Sequence, residues 1–121
     1  MSNELPPQVQ HQLAQLQQVQ QQAQAIFGQK TQVEMILRDT ERALEELEKL
    51  DDKATIYKII GELLIKSEKS ATKVELAEKK ETLDLRLKTL ERQEQRIQKR
   101  FQELQEQLLP LLRKEGEKGA G

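Results

Sequence analysis

The sequence predicts a mainly α fold: two long helices in an antiparallel coiled coil, joined by a β-hairpin that oligomerises into a β-barrel body. Three observations predict it. Apolar residues recur at heptad spacing through both ends of the chain. Between those ends, residues 55–66 read as two short strands about Gly61. The composition suits a coiled coil better than a globular core, for 36% of the 121 residues are hydrophobic, 34% are charged and only 2% are aromatic. One domain over residues 1–121 follows. It divides into a helical arm at 8–50, a hairpin at 55–66, a second arm at 72–113 and a flexible tail at 114–121.

The first arm starts behind Pro6 and Pro7, where missing N–H groups leave no helical bond unmade. With Val9 at position a, the a and d sites run through Leu16, Val19, Ala23, Ile26, Val33, Leu37, Leu44 and Leu47. Gln12, Lys30 and Thr40 interrupt this seam; polar seam residues cost stability and can set register. Gly28 marks a flexible point or a close approach. Apart from His11, residues 8–29 carry no ionisable side chain, and their outer faces are glutamine. Those amides either solvate a coiled-coil surface or leave a tip that meets many polypeptides without desolvating charge. His11 has no ligand set around it.

The hairpin is the informative element. Asp51 and Asp52 oppose the helix dipole and stop the first arm. A two-residue turn led by Gly61 suits type II′ and pairs Ile60 with Leu63, Ile59 with Leu64 and Tyr57 with Lys66. One face then carries Tyr57, Ile59 and Leu64, and the other carries Ile56, Ile60, Leu63 and Ile65 with Lys58. A lone two-stranded hairpin is marginal in water, and this one has two apolar faces and open edges. Either it folds onto its own helices or, as we favour, several hairpins pair into a shared sheet or barrel.

The second arm restarts at Thr72, where Thr72-Lys-Val-Glu75 fits a capping box. Its seam runs Leu76, Leu83, Leu87, Leu90, Ile97, Phe101, Leu104, Leu108 and Leu111, interrupted by Lys80 and Glu94. Pro110 should kink or fray the last turn. Arms of equal length fold back with facing residue numbers summing to about 125. The chain ends then meet at the tip, where Leu5, Val9, Leu13, Leu16, Leu108, Leu109 and Leu112 gather without a third layer to cover them.

Several function classes fall away. A net charge of −1 argues against nucleic acid or an anionic membrane as main partner, and the Arg92, Arg96, Lys99 and Arg100 stripe is interleaved with glutamates. No apolar run is long enough to span a membrane. The chain has no cysteine, consistent with a cytoplasmic protein. Neither a phosphate loop, a catalytic constellation nor a metal-ligand cluster is present, so we expect no enzyme, no cofactor and no metal.

Several segments together carry a family resemblance. They are Val9-Gln-His-Gln-Leu-Ala-Gln-Leu16, the glutamine-rich run after it, Ile56-Tyr-Lys-Ile-Ile-Gly61 with Leu64-Ile65, and Leu90-Glu-Arg-Gln-Glu94. Along nearly its whole length the chain resembles the beta-type prefoldins of archaea. That resemblance implies an ATP-independent cytoplasmic holdase and co-chaperone. It implies a heterohexamer of two alpha-type and four beta-type subunits around a double β-barrel. Coiled-coil tips would capture non-native proteins and deliver them to a group II chaperonin. It maps assembly onto Ile56, Tyr57, Ile59, Ile60, Gly61, Leu63, Leu64 and Ile65, and client contact onto the apolar tip residues. The alternative from the same residues is a structural protein, a homo-oligomer or filament with no client.

Overall fold

The computed structural model describes the backbone of residues 5–120. The elements are helix α1 (Pro7–Glu48), strands β1 (Ile56–Ile60) and β2 (Leu63–Ser67), and helix α2 (Lys69–Ala120). The residues group into two compact units, and both helices run through both. One unit holds the chain ends, up to Gln29 and from Leu90 onward, and the other holds Lys30–Thr89 with the hairpin.

The prolines set the start of α1. Pro7 is its first residue, and Gln10 N–H closes the first helical bond on the Pro6 carbonyl at 3.0 Å. The other end comes two residues before the expected Leu50. Lys49 and Leu50 bond back three residues, to Glu46 and Leu47, which tightens the last turn out of α geometry. Asp51 then makes the exit, with Oδ1 accepting Lys53 N–H at 3.0 Å.

The second helix corrects the sequence at both ends. It starts at Lys69, not Thr72. Thr72 already lies in the first turn, where its N–H reaches the Glu68 carbonyl at 3.0 Å and its hydroxyl shares a 2.7 Å bond with Ser67 Oγ. The Thr72–Glu75 pattern is therefore not a cap, and Glu75 pairs with Lys58 instead. At the other end α2 passes through Pro110 to Ala120, across the segment expected as a flexible tail. A proline inside a helix costs about 3 kcal/mol. Buried Leu104 and Leu108 on the preceding turns, with half-buried Leu111 just after, pack the helix across that fault.

In the chain-end unit the core is Val9, Val19, Leu90, Leu104 and Leu108, with Leu104 only 1% exposed. In the hairpin unit it is Val33, Leu37 and Leu47 with Thr40 and Thr72. These apolar residues are the seam positions that the heptads pick out, so the arms pack as the repeat requires. Thr40 is an exception with an answer. Its Oγ1 donates to the Ile36 carbonyl at 2.8 Å, so the hydroxyl is satisfied inside its own helix and addresses nothing on the other arm.

Candidate functional site

The hairpin forms as the residues dictate. Ile60 pairs with Leu63, Ile59 with Leu64, and Tyr57 with Lys66. Gly61 has φ of +59° and no other residue type in the described chain takes positive φ, so Glu62 does not. That combination is a type II′ turn, which matches the natural twist of a hairpin.

Its two faces differ in environment. The face with Ile56, Lys58 and Ser67 is half-covered near the helices. Lys58 Nζ lies 3.3 Å from Glu75 Oε1, and the Ser67–Thr72 hydroxyl bond ties β2 to α2. Lys69 completes the anchor. Its ammonium donates to the Leu50 carbonyl at 2.9 Å and to Asp52 Oδ1 at 3.2 Å. It thus supplies the cation that α1 lacks in its own last turn. Farther from that anchor Ile60, Leu63 and Ile65 are exposed. On the other face Tyr57, Ile59 and Leu64 are 60%, 76% and 69% exposed. Burying three such side chains is worth roughly 1.5–3 kcal/mol each. The described chain leaves that gain unused.

The register of the hairpin unit follows from the early start of α2. Lys73 pairs with Glu48, and Lys69 with Asp52. Both partners lie about one helical turn farther from the hairpin than facing numbers that sum to about 125 would place them. The Glu48 carboxyl is held below its ordinary value of 4.5, first by the hydrogen bond from Lys73 and then by that lysine's charge.

At the chain ends the expected apolar set divides. Leu5, Leu109 and Leu112 are exposed, and Leu13 and Leu16 are half-buried. Val9 and Leu108, however, are 2% and 6% exposed. They sit at seam positions, so they hold the arms together and offer no surface. Gln12 shares the seam, and its buried Oε1 has no hydrogen-bond partner. Sequence reasoning missed Lys58, Lys69 and Ser67 as the hairpin's anchors, because nothing in their spacing distinguishes them from solvated polar residues.

Among the described residues there is no group of acidic, histidine or cysteine side chains that could hold a metal ion. Nor is any described helix long and apolar enough to cross a membrane.

Heptad arms about a hairpin with a bare apolar face define a prefoldin-type subunit. A family model described as "Prefoldin subunit" matches residues 10–115, and the chain belongs to that family of chaperone subunits. Its relatives are of the beta type. It is 56% identical over 109 residues to a prefoldin subunit beta of Archaeoglobus fulgidus, covering 90% of this chain and 94% of that protein. With the prefoldin subunit beta of Methanococcoides burtonii it shares 56% over 117 residues, 97% of this chain and 100% of the relative. Among solved structures, the prefoldin beta subunit from Thermococcus strain KS-1 matches with a TM-score of 0.84 at 43% identity. That match covers 93% of this chain and 98% of the other.

Proposed function

We propose that this chain is an ATP-independent holdase subunit of a cytoplasmic heterohexamer with two alpha-type and four beta-type members. The whole chain acts as one prefoldin-like domain. The observation that carries the reading is the bare hairpin face of Tyr57, Ile59 and Leu64. A face this apolar calls for other strands, and hairpins of neighbouring subunits supply them by edge pairing and barrel closure. Ile56, Ile60, Leu63 and Ile65 line the opposite face of the same sheet, and Gly61 makes the turn possible.

Client capture falls to the chain ends. Leu5, Leu109 and Leu112 offer exposed apolar surface, with Leu13 and Leu16 beside them. Such contacts are weak singly and strong together when several arms engage one non-native protein. No bond is made or broken, which fits a family of chaperones rather than enzymes. Captured clients pass to a group II chaperonin.

Deleting residues 1–16 together with 105–121 tests this division of labour. Assembly with an alpha-type partner should persist by native mass, while suppression of client aggregation is lost. Full protection by the truncated complex would refute capture at the chain ends. A stable, elongating homopolymer without protection would instead favour a structural role.

A further inference from the structure

The bare face of the hairpin has a polar end. Ile59 and Leu64 oppose each other across the strands, and two residues farther from the turn Tyr57 opposes Lys66. Side chains two apart along a strand share a face, so these four form two rows about 7 Å apart. The row nearer the turn is apolar. The row nearer the helices carries a phenol and an ammonium, and both residues are exposed.

The two strand lysines differ. Lys58 is held by Glu75, and past the hairpin Lys69 is held by Asp52 and Lys73 by Glu48. Among the described residues no carboxylate pairs with Lys66, and no hydrogen bond engages the Tyr57 hydroxyl. Water serves both groups in the separate chain. Closing other strands over Ile59 and Leu64 narrows that access, and a buried donor without an acceptor is costly. Directly opposed side chains start about 5 Å apart at Cβ, so the two donors can converge on one acceptor. The phenol offers one hydrogen and the ammonium three, whereas an ionised carboxylate only accepts. A carboxylate is therefore the group that satisfies both donors and balances the charge. The bare face of a second copy repeats the same two donors and holds no acid. Glu62, the one acid between Ile56 and Ser67, sits in the turn, at the far end of β2 from Lys66.

We propose that Tyr57 and Lys66 form a carboxylate seat that selects the alpha-type partner. The occupant is an Asp or Glu side chain on a strand of the alpha-type hairpin, with an apolar residue two positions along that covers Ile59 and Leu64. Any apolar strand can supply the cover. The seat supplies the choice, because a strand with a lysine or an alkyl group at that position leaves the ammonium unpaired. The proposal rests on the hairpin as the assembly surface and adds a requirement that apolar cover alone lacks.

The test titrates the full-length chain with its alpha-type partner and reads assembly by sedimentation velocity. Lys66→Met, which keeps the stem and removes the charge, should weaken assembly at least about tenfold. Lys66→Glu should weaken it more, and Tyr57→Phe by a few-fold. Melting of the separate chain should not change, since both residues are exposed. One acid-to-lysine reversal in the alpha-type hairpins should restore assembly with Lys66→Glu and impair it with the wild-type chain. Assembly of Lys66→Glu at wild-type affinity, or a loss that no such reversal restores, would overturn the seat. A parallel fall in self-association of the separate chain would give the carboxylate to a second copy and overturn the choice of partner. The assembly reading fails separately, if Ile59→Lys with Leu64→Glu still assembles.

Discussion

Lys58 in β1 donates to both carboxylate oxygens of Glu75 in α2, at 3.3 and 3.4 Å. The pair lies on the side of the hairpin that turns toward the helix. Lys58 shares its face with Ile56 and Ser67, so that side is half-covered, and the Tyr57, Ile59 and Leu64 side is left bare. An apolar face left open beside such an anchor is the surface we propose for contact with another subunit.

The first prediction concerns that face. Ile59→Lys with Leu64→Glu should leave the unassembled chain's stability within about 0.5 kcal/mol, since both side chains are exposed before assembly. Assembly with an alpha-type subunit should be lost. Sedimentation velocity measures the second effect and thermal unfolding of the separate chain the first. Intact assembly would argue that the bare face is not an interface.

Gly61→Ala tests the turn. A Cβ there meets nothing within 4 Å, so the cost is conformational and comes from φ of +59°. The variant should destabilise the hairpin by roughly 1–2 kcal/mol. Gly61→Asn should cost less, because asparagine tolerates this region better. Amide exchange in Ile56–Ile60 and Leu63–Ser67 reports the difference.

Two polar seam residues should respond differently to apolar replacement. Gln12 leaves a buried oxygen unbonded, so Gln12→Leu should stabilise by about 1–2 kcal/mol. Thr40 already bonds within its own helix, so Thr40→Val should change stability by less than about 1 kcal/mol. Leu104→Ala sets the scale, with an expected loss of about 2–5 kcal/mol. Denaturant titration of the three variants checks the order.

Glu48 and Lys73 give a pH prediction. The carboxyl value is lowered in the folded chain, so its contribution is complete above the ordinary value of 4.5 and disappears as pH falls through the lowered one. Both side chains are about half exposed, so the effect is small. Lys73→Met should lower the melting temperature slightly at neutral pH and leave it unchanged at pH about 2. In that variant the Glu48 carboxyl should titrate nearer its ordinary value, as read by its carbon chemical shift.

Much of this was legible in the chain because the determinants are local. Hairpin register follows from alternation and from one glycine that can take positive φ. Arm packing follows from heptads. What escaped depends on pairings between distant residues. Nothing near Thr72 announces that Glu75 is engaged by Lys58, or that Ser67 and Thr72 share a bond, so the capping pattern places the start of α2 three residues late. Pro110 marked a real local cost, but the buried leucines before it carry the helix onward. Val9 and Leu108 belong by sequence to the apolar set of the tip, although their seam positions put them inside.

The central claim is that exposed leucines at the chain ends do the capturing while the hairpin does the assembling. Leu109→Gln with Leu112→Gln tests it most directly, since both residues are exposed and neither supports the core. The measurement is aggregation of an unfolded client in the presence of the assembled complex. We expect protection to fall several-fold with complex mass and melting temperature unchanged. Undiminished protection by a complex carrying both substitutions in every beta-type subunit would contradict the account.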